Sequence, residues 1–116
     1  MSDSQWNVPF MLRGGRYKTI AMVGPNANAS MNLLSGYHGS PPFLVSPVAA
    51  MRAKFGEAAV SYSVGCNVSD VDNRGIATPA AVVQAAIAAA IKTANAADIT
   101  VLGLGTTTRS RFSLVC

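Results

Sequence analysis

The sequence predicts an α/β fold: a partial doubly wound parallel sheet with flanking helices, in the order β-α-β-α-β, forming an incomplete α/β sandwich. Three observations lead there. Ile20, Ala21, Met22 and Val23 form an apolar run without period-2 alternation, as in a parallel strand covered on both faces. Two helical patterns, opened by Ser46-Pro47 and Thr78-Pro79, separate that run from strand-like segments at 60–64 and 99–104. With 116 residues, 50% hydrophobic and 12% charged, the chain has the size and composition of one packed domain.

Residues 1–17 carry Trp6, Pro9, Phe10, Gly14 and Gly15 without a sustained period and read as an irregular lead-in. Trp6 and Phe10 either cover a sheet edge or an interface, or belong to a partly ordered terminus. Gly24 and Pro25 end the first strand abruptly. Asn26, Ala27 and Asn28 follow at its carboxyl end, where open α/β sheets place their ligand crevices. The loop 26–42 is rich in Gly, Ser, Asn and Pro, with Leu33, Leu34 and Tyr37 as apolar anchors, and loops this long in compact domains are usually functional. Asn26, Asn28, Tyr37 and His38 are therefore the candidate crevice edge for binding a substrate. His38 is the only histidine and has no neighbouring Cys, Asp or Glu, so it is assigned neither catalysis nor a metal.

Ser46 reads as an N-cap with Pro47 in the first helical position. Val48, Met51 and Phe55 follow at helical spacing, and Gly56 closes the helix. Val60, Tyr62 and Val64 alternate with Ser61 and Ser63, which suits an edge strand with one less buried face. After the polar stretch 67–75, Thr78-Pro79 starts an alanine-dominated helix running to Asn95, in which Val83, Ile87 and Ile91 define a stripe aimed at the sheet. The strand 99–104 completes a parallel sheet in the order 2-1-3, joined by right-handed crossovers. Its apolar outer side has no predicted neighbour, which makes it an aggregation liability unless the tail, for example 112–115, pairs along it.

Several functions are disfavoured. The net charge of +4 comes from bases scattered from Arg13 to Arg111, so no nucleic-acid partner is expected. The apolar stretch 79–91 is shorter than the roughly 20 residues of a membrane crossing, so no membrane partner is expected either. Asp70 and Asp72 lack the glycine and glutamate of a calcium loop, and Thr108 stands where a dinucleotide fingerprint would place its third glycine. No cofactor is expected. Cys66 and Cys116 could pair, but their positions favour free thiols. The first residues lack the basic region and apolar core of a secretory signal, which leaves localisation open. Asn28-Ala-Ser30 and Asn67-Val-Ser69 are glycosylation acceptors by sequence.

Lys18-Thr-Ile-Ala-Met-Val-Gly-Pro-Asn-Ala-Asn28, together with Ser35-Gly-Tyr-His-Gly-Ser-Pro-Pro42, resembles the start of the C-terminal (second) domain of glycoside hydrolase family 3. That family contains β-xylosidases and β-glucosidases and is often secreted. The resemblance covers 18–105, takes in the Gly65-Cys66 pair after the second strand, and is closer to the β-xylosidase branch, with β-glucosidase types also open. It implies a lead-in at 1–17, the first part of the family's α/β domain at 18–105 and a divergent tail at 106–116. It further implies a fragment of a retaining glycosidase whose full-length parent hydrolyses O-glycosyl bonds, with a carbohydrate substrate and a catalytic barrel N-terminal to this segment. No catalytic residue is assigned: the family's aspartate nucleophile belongs to the barrel, and its acid/base glutamate would lie beyond Gly105, where this chain departs as a truncated or mis-spliced product would. The chain alone is accordingly expected to be inactive. The alternative is a small Rossmann-like binding or interaction module without catalysis.

Overall fold

The computed structural model describes residues 17–34, 38–67 and 76–105. Its elements are β1 (Ile20–Val23), α1 (Pro47–Phe55), β2 (Val60–Ser63), α2 (Ala80–Asn95) and β3 (Ile99–Leu102). Single turns of 3-10 helix at Met31–Leu33 and Glu57–Ala59 lie within the connections. The sheet is parallel with the order β2-β1-β3, and Ile20 stands in register with Val60 on one side and Ile99 on the other. This is the partial α/β fold expected from the sequence.

β1 is central because all four of its residues are apolar, and all four are buried. Alternate residues of a strand point to opposite faces, so Ile20 and Met22 pack with Val48, Met51 and Phe55 of α1, whereas Ala21 and Val23 meet Ala90 of α2. The helices thus cover opposite faces. Two crossovers of one hand require that arrangement, because the chain moves outward from β1 to β2 and then back across β1 to β3. Burying Ile20 and Met22 contributes about 2 kcal/mol each to this core.

Ser46 caps α1 as expected: its Oγ accepts from the Ala49 N–H at 3.2 Å, and Pro47 occupies the first turn. At the other end, the Gly56 N–H donates to the Arg52 carbonyl at 2.8 Å. Ser46→Ala should cost about 1 kcal/mol, read from urea denaturation. An unchanged midpoint would mean that the cap is not stabilising.

Two helix expectations are corrected. α2 starts at Ala80 with Pro79 as its cap residue, and no side chain completes the cap, so Thr78 is not the N-cap. The Val82 and Val83 N–H groups turn back to the Pro79 carbonyl, at 3.0 and 3.2 Å. Nor is the stripe of Val83, Ile87 and Ile91 buried as a whole: Ala90 packs on the sheet, while Ile87 and Ile91, on the same side of α2, line a hollow with Val23 and Leu102 and stay 43% and 56% exposed. A Cβ built on Gly65 would lie 3.3 Å from the Ala90 methyl, so backbone and helix approach too closely here for a larger side chain than alanine.

The free-thiol expectation is also overturned for Cys66, which is buried and disulfide-bonded. Residue spacing alone does not say which distant segment returns to a buried sulfur. Cys116 lies outside the described residues.

At the amino end of the sheet, Asp98 Oδ2 accepts from the Lys18 and Thr19 N–H groups at 2.8 and 3.0 Å, and the Asp98 N–H donates to Thr19 Oγ1 at 3.0 Å. The bond from the Lys18 N–H, then that from Thr19, holds the Asp98 carboxyl below the usual carboxylate range. A depressed folded pKa contributes stability above the unfolded value, and that contribution is lost as pH falls through the folded value. Asp98→Asn should therefore flatten the acid limb of the stability profile below about pH 4. An unaltered limb would contradict this.

Candidate crevice at the carboxyl end of the sheet

A glycine lies at or near the carboxyl end of each strand: Gly24 after β1, Gly65 beyond β2 and Gly103 after β3. The Gly24 N–H donates to the Ser63 carbonyl at 3.0 Å and the Gly103 N–H to the Val23 carbonyl at 2.7 Å, so sheet pairing extends into the glycines. The loop after β1 lies directly on this floor. The Asn26 N–H donates to the Gly103 carbonyl at 2.9 Å, and a Cβ on Gly103 would sit 2.6 Å from the Ala27 nitrogen. Only glycine permits so close a backbone approach.

The same loop is fastened to α1. Ala27 is buried and its carbonyl accepts from the Val48 N–H at 2.9 Å. Ser46 Oγ, the cap of α1, donates to Asn28 Oδ1 at 2.9 Å. Asn26 Oδ1 accepts from Asn32 Nδ2 at 3.0 Å. The first crevice residues are therefore held by three anchors: the end of β3, the start of α1 and the adjacent turn. Asn26 and Ser46 lie at one end of the sheet, as the parallel topology requires.

Asn26 and Asn28 come together at this edge. His38 is exposed, with Nδ1 donating to the Gly39 carbonyl at 2.6 Å, which leaves Nε2 as an acceptor. It lines a hollow of about 300 Å³ with Leu34, Gly39, Ser40 and Pro41, whereas Asn28 borders a different hollow of about 310 Å³ beside Arg52 and Glu57. Tyr37 lies outside the described residues. Asn28 and Asn67, the acceptors of the two glycosylation sequences, are both exposed. Gly103 and Ala27 were not singled out in the sequence as site residues, although a glycine after each apolar strand is a legible sign of a close-packed strand end.

The edge offers amides, a hydroxyl and an imidazole. Such groups bind neutral hydroxylated ligands by hydrogen bonds. Of the described carboxylates, Asp98 lies at the opposite end of the sheet and Glu57 lies in the turn leading into β2, where it faces Arg52 at 3.8 Å. Among the described residues no group of three or more His, Cys, Asp or Glu could hold a metal, and no helix is long and apolar enough to cross a membrane.

No protein-family model matches the chain. Curated proteins do. An exo-1,4-beta-xylosidase of Aspergillus oryzae is 31% identical over 99 residues, which is 84% of this chain and 11% of the xylosidase. Beta-D-xylosidase 3 of Arabidopsis thaliana is 34% identical over 88 residues, 76% of this chain and 9% of that protein. A beta-xylosidase of Formosa agariphila is 33% identical over 67 residues, 52% of this chain and 9% of its own length. The region is thus related to xylosidases from a fungus, a plant and a bacterium. The chain spans about a tenth of the length of these curated relatives.

Proposed function

We propose that this chain is part of the second, α/β domain of a retaining glycosidase of xylosidase type, resembling glycoside hydrolase family 3. Its crevice edge closes the sugar pocket over a catalytic barrel that the rest of the protein provides. The observation that carries this reading is the 31% identity with the Aspergillus oryzae xylosidase over 84% of the chain. The chemistry of the edge supports it: Asn26, Asn28 and His38 offer neutral donors and acceptors suited to sugar hydroxyls, and the loop 26–28 is fixed to both β3 and α1. Retaining hydrolysis takes a nucleophile and an acid/base carboxyl about 5 Å apart. In this reading both come from outside residues 18–105, and this segment shapes the pocket without reacting.

Sequencing the transcript and genomic DNA around this reading frame tests the proposal. The expected result is a barrel-coding region upstream and, beyond the codon for Gly105, an in-frame segment with an acidic residue and an Asp-Arg pair. Flanking sequence that encodes an unrelated domain would contradict it.

A further inference from the structure

Two hydrogen bonds meet at the Ser46 hydroxyl. Its Oγ accepts from the Ala49 N–H at 3.2 Å and donates to Asn28 Oδ1 at 2.9 Å, and Ser46 is only 8% exposed. A hydroxyl has one proton to give. Turning the Asn28 amide round would set its NH2 group against an oxygen that the Ala49 N–H already approaches, and would take this acceptor from the Ser46 proton, the costlier arrangement in a buried place. The bond therefore fixes which way the amide faces. Asn28 is exposed, and among the described residues no buried side-chain nitrogen lacks a partner, so Nδ2, on the far side of the amide, reaches solvent. Asn26 is held in the same sense: its Oδ1 accepts from Asn32 Nδ2 at 3.0 Å, and its Nδ2 lies over Gly105, where a Cβ would overlap it.

We infer that Ser46 is a positioning residue, which turns the Asn28 amide so that the crevice edge presents hydrogen-bond donors and takes its ligand through oxygens that accept. With the two carbonyl oxygens turned toward Ser46 and Asn32, Asn26 and Asn28 have N–H groups left to offer outward. A sugar hydroxyl or ring oxygen meets that requirement through its lone pairs. An ammonium group, which only donates, does not. The inference rests on the reading of this edge as sugar-binding, and it adds the polarity of the contact and the residue that sets it.

The test compares the full 116-residue chain with its Ser46→Thr and Ser46→Asp variants. Threonine keeps both bonds. Aspartate keeps the cap, since its carboxylate accepts from the Ala49 N–H, but it has no proton to donate at neutral pH and draws the Asn28 NH2 group inward. In proton–nitrogen correlation spectra the Asn28 side-chain amide should exchange freely with water in the parent and in Ser46→Thr. In Ser46→Asp one of its protons should move downfield and exchange slowly, with the thermal midpoint close to that of the parent. Titration with methyl β-xyloside should shift the amide signal in the parent and in Ser46→Thr alike, and the affinity should be roughly fivefold lower in Ser46→Asp. A protected Asn28 amide in the parent, an amide unmoved by Ser46→Asp, or equal xyloside affinity in all three proteins would overturn the inference. If the amide behaves as described but the xyloside shifts no signal in any of them, the orientation set by Ser46 is supported and the sugar-binding reading is contradicted.

Discussion

The purified chain should hydrolyse neither aryl xylosides nor aryl glucosides above background. Its five carboxylates are Asp3, Glu57, Asp70, Asp72 and Asp98. Asp98 is committed to the Lys18 and Thr19 N–H groups, which hold it ionised and unfit to donate a proton near neutrality. Glu57 faces Arg52 at 3.8 Å and is largely exposed, in the turn leading into β2. Asp3, Asp70 and Asp72 lie outside the described residues. Asp70 and Asp72 stand two apart on either side of Val71, closer in sequence than two carboxylates with separate catalytic roles need to be, and neither matches a catalytic position of the resembled family. The check is an assay beside an Asp70→Asn, Asp72→Asn double variant. Turnover that disappears in the variant would refute the expectation, and turnover that survives in it identifies a contaminating enzyme.

Gly24→Ala should be severely destabilising. Gly24 has φ of +119°, a conformation that costs an L side chain roughly 1–3 kcal/mol. The new Cβ would also meet the Gly103 carbonyl oxygen at 2.5 Å, a backbone atom in the strand end that supports the Asn26 loop. The clash cannot relax without separating β1 from β3. Together the two effects reach about 3 kcal/mol or more, a large part of the 5–15 kcal/mol that stabilises ordinary domains. Gly39→Ala is the control, since a Cβ there meets nothing within 4 Å. Circular dichroism melts should show Gly39→Ala close to the parent and Gly24→Ala with its midpoint lowered by about 10 °C or more, or without a cooperative transition. A Gly24→Ala protein that melts within a few degrees of the parent would contradict the packing described for this strand end.

The elements legible in the sequence were those in which one local signal dominates. The uninterrupted Ile-Ala-Met-Val run of β1, stopped by Gly24-Pro25, fitted a strand buried on both faces, and its contrast with the alternating pattern of β2 set β1 at the centre and β2 at an edge. Ser46-Pro47 carried both a cap and a pre-set first turn. α2 was less legible because alanine on nearly every side gives the apolar period no contrast. The face that packs was chosen by the close approach of Gly65 to Ala90, a tertiary fact. The disulfide state of Cys66 was hidden for the same reason: sulfur pairing depends on which segments the fold returns to one place. At the candidate site, Asn26 and Asn28 were legible from the position of the loop. Their fastening to Gly103 and Ser46 was not, because it joins residues far apart in sequence.

If residues 18–105 are a working piece of a xylosidase-type glycosidase, they should serve when grafted into one. The segment would replace its aligned counterpart in the Aspergillus oryzae xylosidase, with kcat and KM then measured on an aryl β-xyloside. The chimera should fold and keep kcat within about tenfold of the parent. Asn26→Ala, Asn28→Ala and His38→Ala in the chimera should act mainly through KM, because these groups bind without reacting. A chimera that folds cooperatively yet shows no turnover would contradict the claim.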